Sequence, residues 1–183
     1  MELIKKRFPA RTEIVSLYGI VVFVVHSWSV SEFLFHLPSF VLKFSVGEIL
    51  AILSYHLTFA FFESAIVCAL LLLASGILPS NWIMNGFVYK CFIVILVATI
   101  GSIILQTRFN DGMLVIDPSR PCLLYVYASL LLLLLAGLIA AVQKMQGLQR
   151  LITTTVDQIS VMLFVYLPLD AISIVVVAIK LIR

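Results

Sequence analysis

The stretch QISVMLFVYLPLDAISIVVVAIKLI, residues Gln158–Ile182, decides the fold class of this chain. It consists mostly of Val, Ile, Leu, Phe and Ala, and as a helix it would extend about 37 Å, enough to cross a hydrocarbon core of about 30 Å. A single carboxylate, Asp170, interrupts the run near its centre. A charge at that depth costs several kcal/mol unless it is protonated, paired or hydrated, so Asp170 marks a polar site inside a membrane.

The composition of the whole chain supports the same interpretation. Of its 183 residues, 63% are hydrophobic and 11% are charged, and the mean hydropathy is +1.19. Soluble domains carry about 25% charged residues. We therefore expect an all-α integral membrane protein, with a single domain over residues 1–183 and no soluble domain. The formal charge of +3 comes largely from the N-terminus, so a nucleic-acid partner is not expected.

Five apolar stretches predict a polytopic bundle of about five transmembrane helices. The predicted spans cover residues 14–35, 48–78, 86–105, 123–142 and 158–182. The first run is too long for a secretory signal and has no cleavage site after it, so it predicts a retained helix. A connection is expected over His36–Gly47, which contains Pro38, and a basic loop precedes the last span. The second stretch would be about 46 Å long, so it should tilt or begin in the interface.

The basic residues indicate the orientation. With the N-terminus inside, seven Lys and Arg residues fall on the cytoplasmic side and five on the outer side. The cluster Lys5, Lys6, Arg7 and Arg11 directly flanks the first span, where positive charge has most influence on orientation. These features predict a multi-pass protein with a cytoplasmic N-terminus.

Three ionisable residues in different spans fall at similar depths. Counted from the cytoplasmic ends of their spans, His26 and Asp170 lie about 18 Å deep and Glu63 about 22 Å deep. Tyr166 lies about one turn shallower than Asp170, where its hydroxyl would act as a donor. Two interpretations stay open: a proton relay, in which the histidine exchanges protons with the acids, or a structural polar knot that fixes helix packing.

A second set of polar residues occupies one helix. Glu48, His56 and Glu63 are eight and seven residues apart, which places them within about 80° of one another around the axis. Such a stripe should face protein or water, and it predicts the lining of a cavity or proton path. The alternative is that Glu48 and His56 lie in the interface and only Glu63 is buried in the membrane.

Motif searches favour a protein that is not an enzyme. The sequence contains no G-x-S-x-G, no H-E-x-x-H, no P-loop and no dinucleotide fingerprint. Its three cysteines show neither C-x-x-C pairing nor metal-ligand spacing, so we expect no metal and no cofactor.

Three functions from different classes remain open. The first, favoured by small size and the lack of catalytic motifs, is an accessory or scaffold subunit of a membrane complex. Its partners would be membrane lipids and another membrane protein or a second copy. The second is a proton- or cation-coupled transporter or channel that uses the midplane His26, Glu63 and Asp170. The third is an intramembrane enzyme acting on a lipid-linked substrate, which would need anion-binding arginines such as Arg108 and Arg120.

Overall fold

A computed structural model describes residues 9–77, 86–110 and 121–182, with the side chains of 105, 107–110 and 121–132 outside the description. Within those ranges the chain is almost entirely helical and forms no strand. Four helical segments are long and apolar enough to cross a membrane: Arg11–Lys43, Val46–Gly76, Phe87–Ile104 and Gln146–Ile182. The predicted all-α membrane class is therefore confirmed.

Six helices follow one another in the described parts of the chain. They are α1 (Arg11–Lys43), α2 (Val46–Ile77), α3 (Phe87–Asn110), α4 (Pro121–Lys144), α5 (Gln146–Ser160) and α6 (Leu163–Ile182). Contacts divide the chain into two compact units, residues 1–85 with 155–183 and residues 86–154. The fourth predicted span falls on α4, and since its first half has no described side chains, that span stays a prediction.

The connection predicted over His36–Gly47 is wrong, because α1 continues through Pro38 to Lys43. The turn between α1 and α2 is short and contains Phe44 and Ser45. Proline lacks the N–H of a helical hydrogen bond, but aromatic packing bridges the affected turn. The rings of Phe33 and Phe40, on either side of Pro38, lie 6.0 Å apart between centroids.

The first turn of α2 is capped by the side chain of Glu48. Glu48 Oε2 accepts hydrogen bonds from the backbone N–H and the hydroxyl of Ser45, both at 2.8 Å. A carboxylate three residues after a serine satisfies donors that the helix start leaves unpaired. Glu48 therefore stabilises the end of the helical hairpin, and its place in a cavity lining stays a prediction.

The first unit is built from α1, α2 and α6. The buried face of α1 includes Gly19, Val22, His26 and Phe33, at spacings of three, four and seven residues. The buried face of α2 carries Ala60, Ser64 and Cys68 at intervals of four. Small residues at that spacing allow helices to approach closely in a membrane. The buried residues of α6 are Leu163, Asp170 and Ser173.

Gly19 permits a close approach between α1 and the end of α5. A Cβ atom built on Gly19 would lie 2.9 Å from the Oγ of Ser160 and 3.0 Å from its Cα. Backbone therefore stands where a side chain would be, and the neighbouring helix must shift to admit even a methyl group.

In the second unit, α3 packs against α4. Gly86 precedes α3 with a φ of 79°, a conformation that glycine adopts easily. Its missing side chain leaves room for the ring of Tyr89, which a Cβ would overlap.

The basic loop predicted before the last span is instead helix α5. Gln149 Nε2 donates to the carbonyls of Val142 and Gln143, both at 3.0 Å, which fastens the first turn of α5 to the end of α4. A tight turn at Val161 and Met162 follows α5, and α6 then begins at Leu163, five residues later than the predicted span. α5 mixes polar and apolar residues, so it contains no long apolar run that would predict a membrane helix.

Candidate functional site

His26 and Asp170 form a buried pair that joins α1 to α6. The Nε2 atom of His26 lies 2.8 Å from Oδ1 of Asp170. The relative exposure of His26 is 0% and that of Asp170 is 1%. The two residues are 144 positions apart in the sequence, so the hydrogen bond fixes the rotation and the height of one helix against the other.

The hydrogen bond of the second ring nitrogen of His26 determines how many protons the His26–Asp170 pair holds. Its Nδ1 lies 2.9 Å from the carbonyl oxygen of Val22, one turn earlier in α1. Because a carbonyl oxygen only accepts, Nδ1 carries a hydrogen and donates it. The bond between Nε2 and Oδ1 therefore contains one proton, on the acid or on the imidazole. Both arrangements leave the pair without net charge, which suits its burial.

Tyr166 contacts the pair through its ring. Its centroid lies 4.8 Å from that of the His26 imidazole, with the planes inclined at 42°. The described residues include no hydrogen-bond partner for its hydroxyl, so Tyr166 packs against the histidine where the sequence suggested a donor. Asp170 Oδ2 is also buried without a hydrogen-bond partner among the described residues.

Glu63 does not join this pair. It is an exposed residue of α2 and lines a groove between α1 and α2, together with Val25 and His56. Val25, which lines the groove with Glu63, is the neighbour of His26 in α1. Glu63 therefore lies at about the level of the pair but next to a different side of α1. Of the three residues predicted to share a site, the structure brings two together and leaves the third outside.

The groove has a volume of about 430 Å³. The polar and aromatic residues that line it come from both helices and are Trp28, Ser29, Glu32, His36, Tyr55, His56, Phe59 and Glu63. A second, largely apolar hollow of about 400 Å³ borders the other side of Glu63 and is lined by Phe62, Ile66 and Val67, among others. The carboxylate of Glu63 therefore stands between a polar groove and an apolar surface.

His56 is oriented by the helix that carries it. Its Nδ1 lies 3.0 Å from the carbonyl of Ile52, which makes Nδ1 the donor. The ring also meets Phe33 edge-on, with the centroids 5.9 Å apart. The hydroxyl of Ser29 donates to the carbonyl of His56 at 3.2 Å, and this bond holds α1 and α2 together beside the groove.

Sequence reasoning missed the contribution of α1 to the groove. The contact of Ser29 with His56 sets the antiparallel register and brings Glu32 and His36 to the same opening. Glu32 and His36 also form an ion pair across one helical turn, at 3.6 Å. The apolar run ends at residue 35, so the sequence places Glu32 near a span end and His36 in the connection.

The described residues contain no group of three or more His, Cys, Asp or Glu side chains arranged to hold a metal ion. Arg120 and the side chain of Arg108, which an enzyme acting on lipid-linked substrates would use, lie outside the description. Comparisons with protein-family models, curated proteins and solved structures find no match to this chain. Its chemistry is therefore interpreted from its own geometry.

Proposed function

We propose that this protein is an accessory or scaffold subunit of a membrane complex. The observation that carries the proposal is the enclosure of the His26–Asp170 pair, which reaches neither the groove nor the surface. Ionisable groups buried in this way hold helices in a defined arrangement, whereas a transport site needs access to both sides of a membrane.

The exposed surface of α2 supports the same function. Phe59, Phe62, Ile66, Leu70 and Leu73 each expose more than half of their surface. In a membrane this face contacts lipids or another membrane protein. A rigid core behind it keeps its shape constant, which is what a binding surface on a scaffold requires.

Substitutions of Asp170 test the proposal. Asp170→Asn keeps a hydrogen-bonding group next to His26, and we expect it to preserve the complex that co-purifies with the protein from mild detergent. Asp170→Leu leaves Nε2 of His26 unpaired, and we expect it to reduce both the complex and the unfolding temperature. A protein that purifies alone, with the same size in detergent as in native membranes, would contradict the scaffold function.

A proton carrier is the second candidate, and one observation favours it. The pair shares a single proton, and Asp170 Oδ2 is buried without a partner among the described residues, so one acceptor of the pair is unused. In proteoliposomes with an internal pH dye, this function predicts a proton flux that Asp170→Asn abolishes at unchanged stability. The scaffold function predicts no flux in either protein, so one conservative substitution separates the two.

We further propose a cytoplasmic N-terminus, on the basis of the basic residues Lys5, Lys6 and Arg7 before α1 and Arg11 at its first position. Membrane lipids and either another membrane protein or a second copy of the chain are the proposed partners. Size determination of the purified protein by light scattering, with detergent mass subtracted, distinguishes self-association from binding to a different protein.

A further inference from the structure

The groove between α1 and α2 contains two carboxyl groups, of which Glu32 is paired with His36. Glu32 and Glu63 line it, and its described lining includes no lysine or arginine. Glu63 lies near the middle of α2, about 26 Å from the start of the helix at Val46. A carboxylate exposed at that depth in a membrane is costly without a counter-charge, so the groove is suited to a cation.

Aromatic rings form a large part of the same lining. Trp28, Tyr55 and Phe59 border the groove, and two of them are well exposed, Trp28 at 40% and Phe59 at 72%. The face of an aromatic ring attracts a cation by its quadrupole, and the attraction is strongest for tryptophan and for cations that lose their water easily. Carboxylates and aromatic faces around one opening therefore recognise both the charge and the apolar surface of an organic cation.

The volume is also appropriate. Pockets for small molecules measure about 300–1,000 Å³, and this groove, which is open to the surroundings, measures about 430 Å³. A hydrated inorganic ion would need several oxygen ligands in place of its water, and the described residues offer no such cluster. A lipophilic ammonium or phosphonium ion needs one counter-ion and an apolar wall.

We propose that the groove between α1 and α2 binds a lipophilic organic cation, with Glu63 as its counter-ion and Trp28, Tyr55 and Phe59 as the aromatic wall. This site is distinct from the His26–Asp170 pair and does not depend on the scaffold function. A free organic cation and the quaternary ammonium of a lipid headgroup share the chemistry that it recognises.

Tetraphenylphosphonium titration of the full-length protein in a non-ionic detergent tests the proposal. Trp82→Phe makes Trp28 the single tryptophan, so its fluorescence reports on the groove directly. We expect saturable quenching at one cation per chain. Glu63→Gln should weaken binding by at least about tenfold, Glu63→Asp should retain most of it, and Tyr55→Leu should weaken it several-fold.

Asp157→Asn is the matched control, because Asp157 is an exposed carboxylate outside the groove. Its affinity should equal that of the parent protein. The unfolding temperature of each variant is compared with that of the parent protein. If Glu63→Gln does not fold, the charge-retaining Glu63→Asp keeps the test decisive. Equal quenching by tetraphenylborate, an anion of the same shape, or unchanged affinity in folded Glu63→Gln would overturn the proposal.

A lipid arm identifies the source of the cation. Phosphatidylcholine added to the detergent solution competes with tetraphenylphosphonium if the groove accepts a lipid headgroup, and dodecyltrimethylammonium competes if it accepts a free amphiphile. Competition by either one supports the site and assigns its source. Failure of both to compete, at concentrations that saturate the detergent micelles, contradicts a site for quaternary ammonium groups.

Discussion

At the scale of single residues, the His26–Asp170 bond combines a buried donor with a buried acceptor. The two atoms are 2.8 Å apart, and both residues are almost completely buried. Removing one partner costs the desolvation of the other, whereas removing both leaves no polar group unsatisfied. The interaction energy of the pair is therefore the difference between the stability loss of the double variant and the sum of the losses of the two single variants.

We predict that His26→Leu and Asp170→Leu each reduce the free energy of unfolding by about 1–3 kcal/mol. The double variant should lose clearly less than the two single losses combined, because neither residue then strands the other. Reversible unfolding in mixed micelles, followed by circular dichroism, measures the three values. Additive losses would show that the pair does not interact.

Depth along the spans predicted part of this site, since counting residues from the span ends placed His26 and Asp170 at one level. The same count included Glu63, which lies outside the pair. Depth gives the height of a residue but not its rotation about the helix axis, which changes by about 100° at every position. Rotation depends on tertiary packing, and in α2 the neighbouring Ser64 is buried whereas Glu63 is exposed.

At the scale of helices, close approaches depend on residues whose side chains are small. Gly19 is one such residue, since a Cβ there would meet Ser160 at 2.9–3.0 Å. Five other helical glycines have nothing within 4 Å of a built Cβ: Gly47, Gly76, Gly101, Gly137 and Gly147. The same residue type is therefore structural at one position and replaceable at others.

We predict that Gly19→Ala destabilises the protein by about 1–3 kcal/mol, because the methyl group displaces the backbone of Ser160. Gly76→Ala is the control, and it should be neutral or slightly stabilising, since alanine favours a helix. Thermal unfolding of the two variants under the same conditions makes the comparison. A larger loss for Gly76→Ala than for Gly19→Ala would contradict the proposed close approach.

The start of α2 shows a signal that sequence reasoning passed over. The order Ser45-x-x-Glu48 is the sequence pattern of a capping box, and it marks the beginning of a helix immediately after the turn. Residues 36–47, which contain Pro38, were instead predicted to form a connection between the first two spans. A proline near the end of a helix is tolerated when packing on both sides continues, and periodicity alone does not show that packing.

We predict that Ser45→Ala with Glu48→Ala lowers stability by about 1 kcal/mol and loosens the turn between α1 and α2. Hydrogen exchange of the backbone amides of residues 45–49 should become faster, while exchange near Ala60 should stay unchanged. Uniformly faster exchange along α2 would mean that the effect is global and not one of capping.

At the scale of the whole molecule, α1 and α2 are longer than a simple crossing requires. They contain 33 and 32 residues, or about 50 and 48 Å of helix, against a hydrocarbon core of about 30 Å. Either both helices tilt, or their joined ends extend beyond the core. Glu32, His36, Lys43 and Glu48 are all charged or ionisable and are concentrated toward that end, which favours extension into the interface.

The number of crossings determines which connections share a side of the membrane. With five crossings and a cytoplasmic N-terminus, the segment around Asp111 lies outside and the start of α5 at Gln146 lies inside. We predict that single cysteines at these two positions, in a background without Cys68, Cys91 and Cys122, react from opposite sides with a membrane-impermeant maleimide. The two positions flank α4, so labelling from the same side would mean that α4 does not cross. In that case the chain would cross four times, both termini would face the same compartment, and Arg150 of α5 would lie on the same side as the polar segment before α4.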